Sequence, residues 1–176
     1  MEIPALQAAL LEADLDGWLL FDFHGQNPTA VSALGLEGRM LSRRWFYLVP
    51  RSGEPHLLTH AIEAGSFPTH VAGRRRHYAS WQSQREELGA LLGTLPRGAK
   101  LAMEYCPLGA IPALSRVDGG TLELVRSFGV EVVSSGDLLT EALDHLLENA
   151  CSHARQAAQP AVTLSLAADE IGRAHV

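Results

Sequence analysis

The sequence predicts an α/β fold: a mixed β-sheet of about five or six strands with helices on both faces and one β-hairpin. Three observations favour this class. Short apolar runs alternate with amphipathic helical patterns along the chain. One pair of strand-like runs is separated only by a turn, which is typical of a hairpin. Hydrophobic residues make up 47% of the 176 positions, enough for a chain of this length to bury roughly 68–70% of its unfolded surface.

The chain opens with a helix that is followed by a buried strand. Residues 3–13 place apolar side chains on one stripe, and Pro4 suits a first helical turn. The apolar run GWLLFD, residues 17–22, predicts a strand. Asn27 followed by Pro28 is typical of an N-cap with proline at the first helical position, so a short helix to residue 36 follows.

The hairpin comes next. Residues 44–50, RWFYLVP, are aromatic and β-branched, which favours a strand. The turn residues RSGEP, 51–55, follow, and residues 56–60 return as the second strand. A short helix is expected over 61–67, and the basic run 74–80 predicts an exposed strand or loop.

Helices and strands then alternate to residue 148. Leucines on one face predict a helix over 82–95, and KLAMEY predicts a strand over 100–105. Pro107 and Pro112 break the helical pattern that follows. The last predicted elements are a helix over 119–128, a strand over 130–133 and a helix over 136–148.

Composition excludes several classes of protein. A net charge of −6 and a pI near 5.7 argue against a dedicated nucleic-acid binder. The N-terminus lacks a basic region, and no apolar run approaches the roughly 18 residues that a membrane span needs. Cys106 and Cys151 have no metal-binding spacing and are interpreted as reduced thiols. We therefore expect a cytoplasmic protein without a membrane or nucleic-acid partner.

The sequence contains no self-contained active site. It has no G-x-S-x-G elbow, P-loop, His-Glu-x-x-His helix or paired-cysteine zinc motif. His56 and His60 share a strand face, but further metal ligands are not indicated. Carboxylates on one face of the last helix suggest a hard-metal site or, as we interpret them, a solvated face opposite its leucines. They are Asp137, Glu141, Asp144 and Glu148.

Two clusters of arginine interrupt this acidic chain. Residues 74–76 with His77 suit an exposed strand whose cations discourage edge-to-edge pairing. Arg43 and Arg44, after Arg39, precede aromatic residues, a composition found in interfaces. Stacking of nucleic-acid bases on the aromatic residues is an alternative, which the overall acidity opposes.

Four segments carry a family resemblance. In chain order they are ALLEADLDGWLLFD, LSRRWFYLVPRSGEP, LTHAIEAGSF and AMEYCPLGAIPALSRVDGGTLELVRSFGVEVVSSGDLL. Together they resemble the creatinase-like N-terminal domain of Xaa-Pro peptidases, the aminopeptidases P and proline dipeptidases of the pita-bread metallopeptidase family. The resemblance covers about residues 4 to 148, and Tyr105, Ser115, Arg116 and Asp118 match its pattern.

The resemblance implies a division of labour. In such hydrolases a C-terminal domain holds two divalent ions, Mn, Co or Zn, on two Asp, one His and two Glu, and cleaves the peptide bond before proline. The N-terminal domain covers the active site and supports the homodimer. We find no catalytic pita-bread domain in this sequence, so we assign neither a catalytic residue nor a metal ligand, and the chain alone is predicted to be inactive.

These expectations divide the chain at residue 149. Residues 1–149 are predicted to form the creatinase-like domain, and 150–176 the start of a connecting helix and an atypical or truncated tail. The expected partners are a C-terminal catalytic domain of the same polypeptide, a second copy, and a proline-containing peptide. Alternatives are a free-standing interaction or small-ligand-binding module and, less favoured, a nucleic-acid binder.

The predicted contact residues lie around the hairpin. They are Arg43, Arg44, Trp45, His60 and Glu63. We expect the arginines to bind the carboxylate of a substrate, or an acidic patch on the catalytic domain or on a second subunit, by charge-assisted hydrogen bonds. Arg116 and Asp118 are close enough in sequence to pair with each other across a turn.

Overall fold

A computed structural model describes residues 2–136 of the protein. The α-helices are α1 (Ile3–Glu12), α2 (Pro28–Ala33), α3 (Trp81–Leu92) and α4 (Gly119–Arg126). The strands are β1 (Gly17–Asp22), β2 (Trp45–Pro50), β3 (His56–His60), β4 (Arg74–Tyr78), β5 (Lys100–Met103) and β6 (Glu131–Ser134). Short 3-10 helices cover Ala61–Ser66, Pro107–Gly109 and Pro112–Leu114. The predicted helix over 136–148 apart from its first residue, Cys151 and the boundary at 149 lie outside the described residues.

The strands form one six-stranded sheet in the order β4-β3-β2-β1-β5-β6. The strand β2 is antiparallel to both of its neighbours, whereas β1–β5, β3–β4 and β5–β6 are parallel pairs. We call the end at which β2 begins and the other strands finish the carboxyl end, and the opposite end the amino end. The mixed sheet and its hairpin confirm the predicted fold class.

Apolar side chains cover both faces of this sheet. Along β1, Trp18 and Leu20 belong to the core beneath α1 and α2. The alternate residues Leu19 and Phe21 belong to the core beneath α3 and α4. Because successive side chains of a strand point to opposite faces, a run of apolar residues such as GWLLFD fills both cores. The prediction of helices on both faces is confirmed.

The observed bounds of some helices differ from the predicted ones because glycine or capping residues set where the helices begin or end. The helix α2 stops at Ala33 because Gly35 adopts a left-handed φ of 62° and donates its N–H to the carbonyl of Ser32. Ser80 caps α3, which begins at Trp81 and ends before Gly93. The basic run 74–80 is an edge strand over Arg74–Tyr78, parallel to β3.

A close approach at Gly73 joins β4 to the hairpin. Gly73 has a φ of 111°, and a Cβ there would lie 2.3 Å from the carbonyl oxygen of Pro55. The same carbonyl accepts a 2.9 Å hydrogen bond from the N–H of Arg74. Only glycine permits this contact, so the first residue of β4 is fixed against the end of the hairpin turn. No helix within residues 2–136 has the length and apolar character to cross a membrane.

Candidate functional site

The carboxyl end of the sheet brings the predicted contact residues together. Arg43 and Arg44 directly precede β2, and His60 is the last residue of β3. Glu63 follows in the 3-10 helix Ala61–Ser66. Ligands of open α/β sheets commonly bind outside the carboxyl ends of the strands. We therefore take this end as the candidate functional site.

A row of rings and one guanidinium crosses this end. His60 stacks edge-on against Tyr78 with ring centroids 5.0 Å apart. The Tyr78 hydroxyl donates a 2.8 Å hydrogen bond to the carbonyl of Arg44. The Arg44 guanidinium lies 5.8 Å from the centroid of Phe23, which in turn contacts His24 at 4.3 Å. The row links the ends of β3, β4 and β1 with the start of β2.

Tyr78 acts in this row as a hydrogen-bond donor. Burial raises the pKa of its phenol to about 12, although the positive charge of Arg44 opposes this. The hydroxyl therefore keeps its proton at neutral pH and holds the backbone of Arg44. His60 contributes differently, because its Nδ1 accepts a hydrogen bond from the N–H of Ile62 and so fixes the turn after β3.

Glu63 orients the segment that carries the arginines. Its Oε1 accepts hydrogen bonds from the Ser42 N–H at 2.7 Å and the Ser42 hydroxyl at 2.8 Å. Its Oε2 accepts one from the Arg43 N–H at 3.2 Å. The side chain is buried, so within this domain Glu63 positions Ser42 and Arg43 rather than presenting its carboxylate to solvent.

Trp45 lies in the core, unlike the arginines that precede it. Its side chain is fully buried and meets Phe67 edge-to-face at 5.7 Å. Its indole N–H has no hydrogen-bond partner among residues 2–136. Because Trp45 belongs to the core beneath α1 and α2, it has no surface with which to make the predicted contact with a substrate or another domain.

Arg43 and Arg44 present positive charge at the carboxyl end. Both are exposed, and neither pairs with a carboxylate of residues 2–136. Burial raises the pKa of Asp118, but hydrogen bonds from Thr121 and the charge of Arg44 outweigh this and hold it below its usual value. Asp118 caps α4 through Thr121, and its predicted pairing with Arg116 is absent.

Exposed apolar side chains gather at the same end, a feature that the sequence patterns did not predict. Six of the seven large hydrophobic residues exposed within 2–136 lie at the carboxyl end, five in connections and Trp81 at the start of α3. They are Phe23, Met40, Ile62, Trp81, Leu108 and Ile111. Leu108 also has a positive φ of 58°. The signal was that most of these apolar residues fall outside the predicted helices and strands, where polar residues are usual, although Ile62 falls in the short helix predicted over 61–67.

A buried carboxylate, that of Glu104, forms hydrogen bonds with several elements near the carboxyl end. Glu104, the residue after β5, accepts hydrogen bonds from Trp18 Nε1 at 2.6 Å and Asn27 Nδ2 at 2.8 Å. Burial raises its pKa, and the hydrogen bonds from Asn27, Trp18 and Ser135 oppose that rise. Residues of β1, the ends of β5 and β6 and the N-cap of α2 therefore meet at one acid. The signal in the sequence was an acid inside the apolar strand KLAMEY.

The metal ions implied by the resemblance find no site in the described residues. Within 2–136, no group of three or more histidine, cysteine, aspartate or glutamate side chains is arranged to hold a metal ion. We therefore derive no chemical step through a metal from these residues.

Comparisons with known proteins identify the fold. No family model matches the chain, and no curated protein matches its sequence. The creatinase/prolidase N-terminal domain of an X-Pro dipeptidase from Streptococcus pyogenes matches with a TM-score of 0.57 and 13% identity, over 79% of this chain and 96% of that chain. A proline dipeptidase from Streptococcus pneumoniae matches with a TM-score of 0.61 and 15% identity, over 80% and 95%.

A longer protein matches over part of its length. A dipeptidase from Pyrococcus horikoshii has a TM-score of 0.61 and 14% identity over 80% of this chain. The match covers 36% of that dipeptidase, so this chain spans about a third of its length. These matches confirm the resemblance at the level of the fold, which is that of creatinase/prolidase N-terminal domains.

Proposed function

We propose that this chain is the non-catalytic N-terminal domain of a Xaa-Pro metallopeptidase, an aminopeptidase P or proline dipeptidase, and that its carboxyl end faces the catalytic domain and covers the active site. One observation carries the proposal. In a fold shared with such N-terminal domains, exposed apolar side chains concentrate at a single end, beside Arg43 and Arg44, which have no ion pair within residues 2–136.

The composition of this end supports contact with another protein domain. Soluble proteins rarely expose large contiguous apolar patches unless these bind a partner. Aromatic residues, methionine and arginine are the residue types enriched in interfaces, and Trp81, Met40 and Arg44 supply them here. Their burial against a catalytic domain would remove apolar surface from water, which is the main favourable contribution to association.

Electrostatics favour an anionic contact at Arg43 and Arg44. The helices α3 and α4 both begin at this end, and their N-termini add positive partial charge to that of the arginines. A substrate carboxylate, or an acidic patch on the catalytic domain or a second subunit of the homodimer, would complement this charge. Glu63 would orient Arg43 toward that group through its backbone.

The chemistry of hydrolysis belongs to the partner domain in this proposal. The two divalent ions, Mn, Co or Zn, would be held there, and the present chain would exclude water and position the proline-containing peptide. Purified chain supplied with Mn²⁺, Co²⁺ or Zn²⁺ should therefore leave an Xaa-Pro dipeptide intact. Metal-dependent turnover by this chain alone would overturn the proposal.

A second experiment tests the contact surface. In a polypeptide that joins this domain to a catalytic domain, Arg43→Ala and Arg44→Ala should each cost about 2–5 kcal/mol in kcat/KM if the contact is desolvated. The matched control is Arg97→Ala, an exposed arginine at the amino end, which should leave kcat/KM unchanged. Equal kinetics and assembly for all three variants would contradict this role.

A small-ligand-binding module is the second candidate, and one observation favours it: a cavity at the amino end of the sheet. It does not compete with the first proposal, because the two functions would use opposite ends of the domain.

A further inference from the structure

The cavity at the amino end has the volume of a small-molecule site and a lining rich in charged residues. Its volume is about 380 Å³, within the range of roughly 300–1,000 Å³ usual for ligand pockets. Charged walls are supplied by Asp16, Arg51, Glu54 and Arg74, and Leu95 adds an apolar surface. We call it the amino-end cavity.

The hairpin wall of the cavity is held in place by the rest of the fold. Gln7 of α1 donates hydrogen bonds from Nε2 to the carbonyls of Pro50 at 3.0 Å and Gly53 at 2.9 Å. The N–H of Arg51 donates to the carbonyl of Asp16 at 2.8 Å. A turn that is fixed before a ligand arrives loses little conformational freedom on binding.

The opposite wall is fixed by the close approach at Gly73. This contact leaves no room for a side chain between Gly73 and Pro55, and it sets Arg74 at the start of β4 beside the hairpin turn. Both walls of the amino-end cavity are therefore preorganised, although Glu54 and Arg74 are 20 residues apart in sequence.

The charged side chains of the cavity retain unused hydrogen-bonding groups. Arg51 pairs with Asp16 at 3.1 Å through Nη2, and Arg74 pairs with Glu54 at 2.9 Å through Nε. A guanidinium has five N–H donors, so each arginine retains donors for a ligand. Glu54 uses Oε2 for its pair, which leaves Oε1 as an acceptor beside Arg74.

The charges around the cavity balance. Two arginines face one aspartate and one glutamate. His56 also lines the cavity, and burial together with the charges of Arg76 and Arg74 lowers its pKa, which favours its neutral form. A ligand with charge of only one sign could pair with the arginines or with the carboxylates, but not with both. A ligand that carries both a positive and a negative group could pair with both.

We propose that the amino-end cavity binds a small zwitterion, a free amino acid or a dipeptide with an apolar side chain. Its α-carboxylate would accept hydrogen bonds from the remaining donors of Arg74 and Arg51. Its α-ammonium would donate to Glu54 Oε1, and the side chain would pack on Leu95. This inference is independent of the proposed peptidase partnership, because it uses only residues at the other end of the sheet.

Titration of the isotope-labelled chain with L-leucine and with glycyl-L-leucine tests the inference. We expect saturable shifts in the backbone amide signals of Gly53, Arg74 and Thr94. N-acetyl-L-leucine, which lacks the ammonium, and L-leucinamide, which lacks the carboxylate, should each bind at least about tenfold more weakly because a charge-assisted hydrogen bond is lost. The tighter of the two zwitterions distinguishes a free amino acid from a dipeptide.

Matched variants locate the site. Arg74→Met should weaken binding by about tenfold or more, and Glu54→Gln should weaken the zwitterion but leave N-acetyl-L-leucine unaffected. Both residues are exposed in their ion pair, so we expect the variants to fold. Arg116→Met, an exposed position at the carboxyl end that does not line the cavity, should bind like the parent chain. Absence of saturable shifts, equal binding of the capped analogues, or unchanged affinity in Arg74→Met would each overturn the inference.

Discussion

The two ends of the sheet differ in how they treat charge and apolar surface. At the amino end, three cations pair with carboxylates within the domain, Arg51 with Asp16, Arg74 with Glu54 and Lys100 with Asp14, and Arg97 has no such partner among residues 2–136. At the carboxyl end, Arg43 and Arg44 have no such partner among residues 2–136. Large apolar side chains are exposed at the carboxyl end and, within those residues, are rare elsewhere.

The amino end makes its ion pairs within the domain, whereas the carboxyl end exposes charged and apolar groups that a partner could bind. Exposed ion pairs contribute little to stability, but they give Arg51, Arg74 and Lys100 partners within the domain. At the carboxyl end, the buried side chains of Glu104 and Glu63 hold the backbone and side chains around them by hydrogen bonds. The exposed side chains of Arg43 and Arg44 and the apolar side chains above them have no partner of this kind within residues 2–136. The following substitutions test this contrast, from the largest expected effect to the smallest.

Replacement of Glu104 by alanine should have the largest effect. It removes the acceptor for Trp18 Nε1 and Asn27 Nδ2, and buried donors without partners are costly, so the free energy of unfolding should fall by about 2–5 kcal/mol. Urea unfolding of the chain measures this loss. Glu104→Gln should lose less, since it keeps one acceptor. An unchanged midpoint in Glu104→Ala would mean that the buried acid does not hold the carboxyl end together.

The close approach at the amino end predicts the next largest effect. Gly73→Ala should lower the free energy of unfolding by about 1–3 kcal/mol, because it combines a positive φ with a clash against the Pro55 carbonyl. Gly53→Ala is the matched control, since Gly53 has a φ of 92° and nothing within 4 Å of the added Cβ. Equal losses in the two variants would show that the contact with Pro55 adds nothing to the amino end.

Tyr78 predicts a pH dependence at the carboxyl end. Its pKa in the folded protein is about 12, above the ordinary value of 10.0, so its contribution to stability is complete below pH 10 and is lost as the pH rises toward 12. Tyr78→Phe should remove this part of the alkaline loss and cost roughly 0.5–1.5 kcal/mol at neutral pH through the bond to Arg44.

Unfolding curves of the parent chain and of Tyr78→Phe at several alkaline pH values measure this dependence. Tyr47, whose pKa is also raised to about 12 by burial, remains in both proteins and accounts for the alkaline loss that they share. Identical pH profiles for the two proteins would contradict the assignment to Tyr78.

The exposed apolar residues predict the smallest change in stability. Ile62→Ser and Trp81→Ser should alter the free energy of unfolding by less than about 0.5 kcal/mol, because these side chains are 77% and 72% exposed. They should nevertheless reduce self-association of the chain, as measured by sedimentation. Leu11→Ser, on α1 and 64% exposed, is the control. Equal self-association in all three variants would show that the apolar residues at the carboxyl end do not drive self-association.

Periodicity and turn chemistry predicted most of the fold because those signals are local. The strand GWLLFD, the Asn27 cap and the hairpin each depend on a few neighbouring residues, and the structure confirms them. The ends of α2 and α3 were less predictable, because Gly35 and Ser80 set them through particular backbone conformations. The family resemblance gave the same fold class by a separate route.

The candidate site was less predictable because its contacts join distant parts of the chain. Arg44 meets Phe23, and Glu104 meets Trp18 more than eighty residues away. No local pattern shows that Trp45 turns into the core while Arg44 beside it faces outward. The amino-end cavity likewise depends on Gly73, whose close contact with Pro55 is visible only in the folded chain.

The single reversed strand of the sheet has an engineering consequence. Because β2 runs opposite to its neighbours, the segment that joins β1 to β2 leaves the sheet and re-enters it at the same end, the carboxyl end. A peptide tag or fluorophore grafted near Gly38, which has open space around it, would hang over the surface proposed to meet the catalytic domain. Such a graft would report or obstruct docking of the catalytic domain. It would not disturb the hairpin turn and its ion pairs, which lie at the opposite end of the sheet.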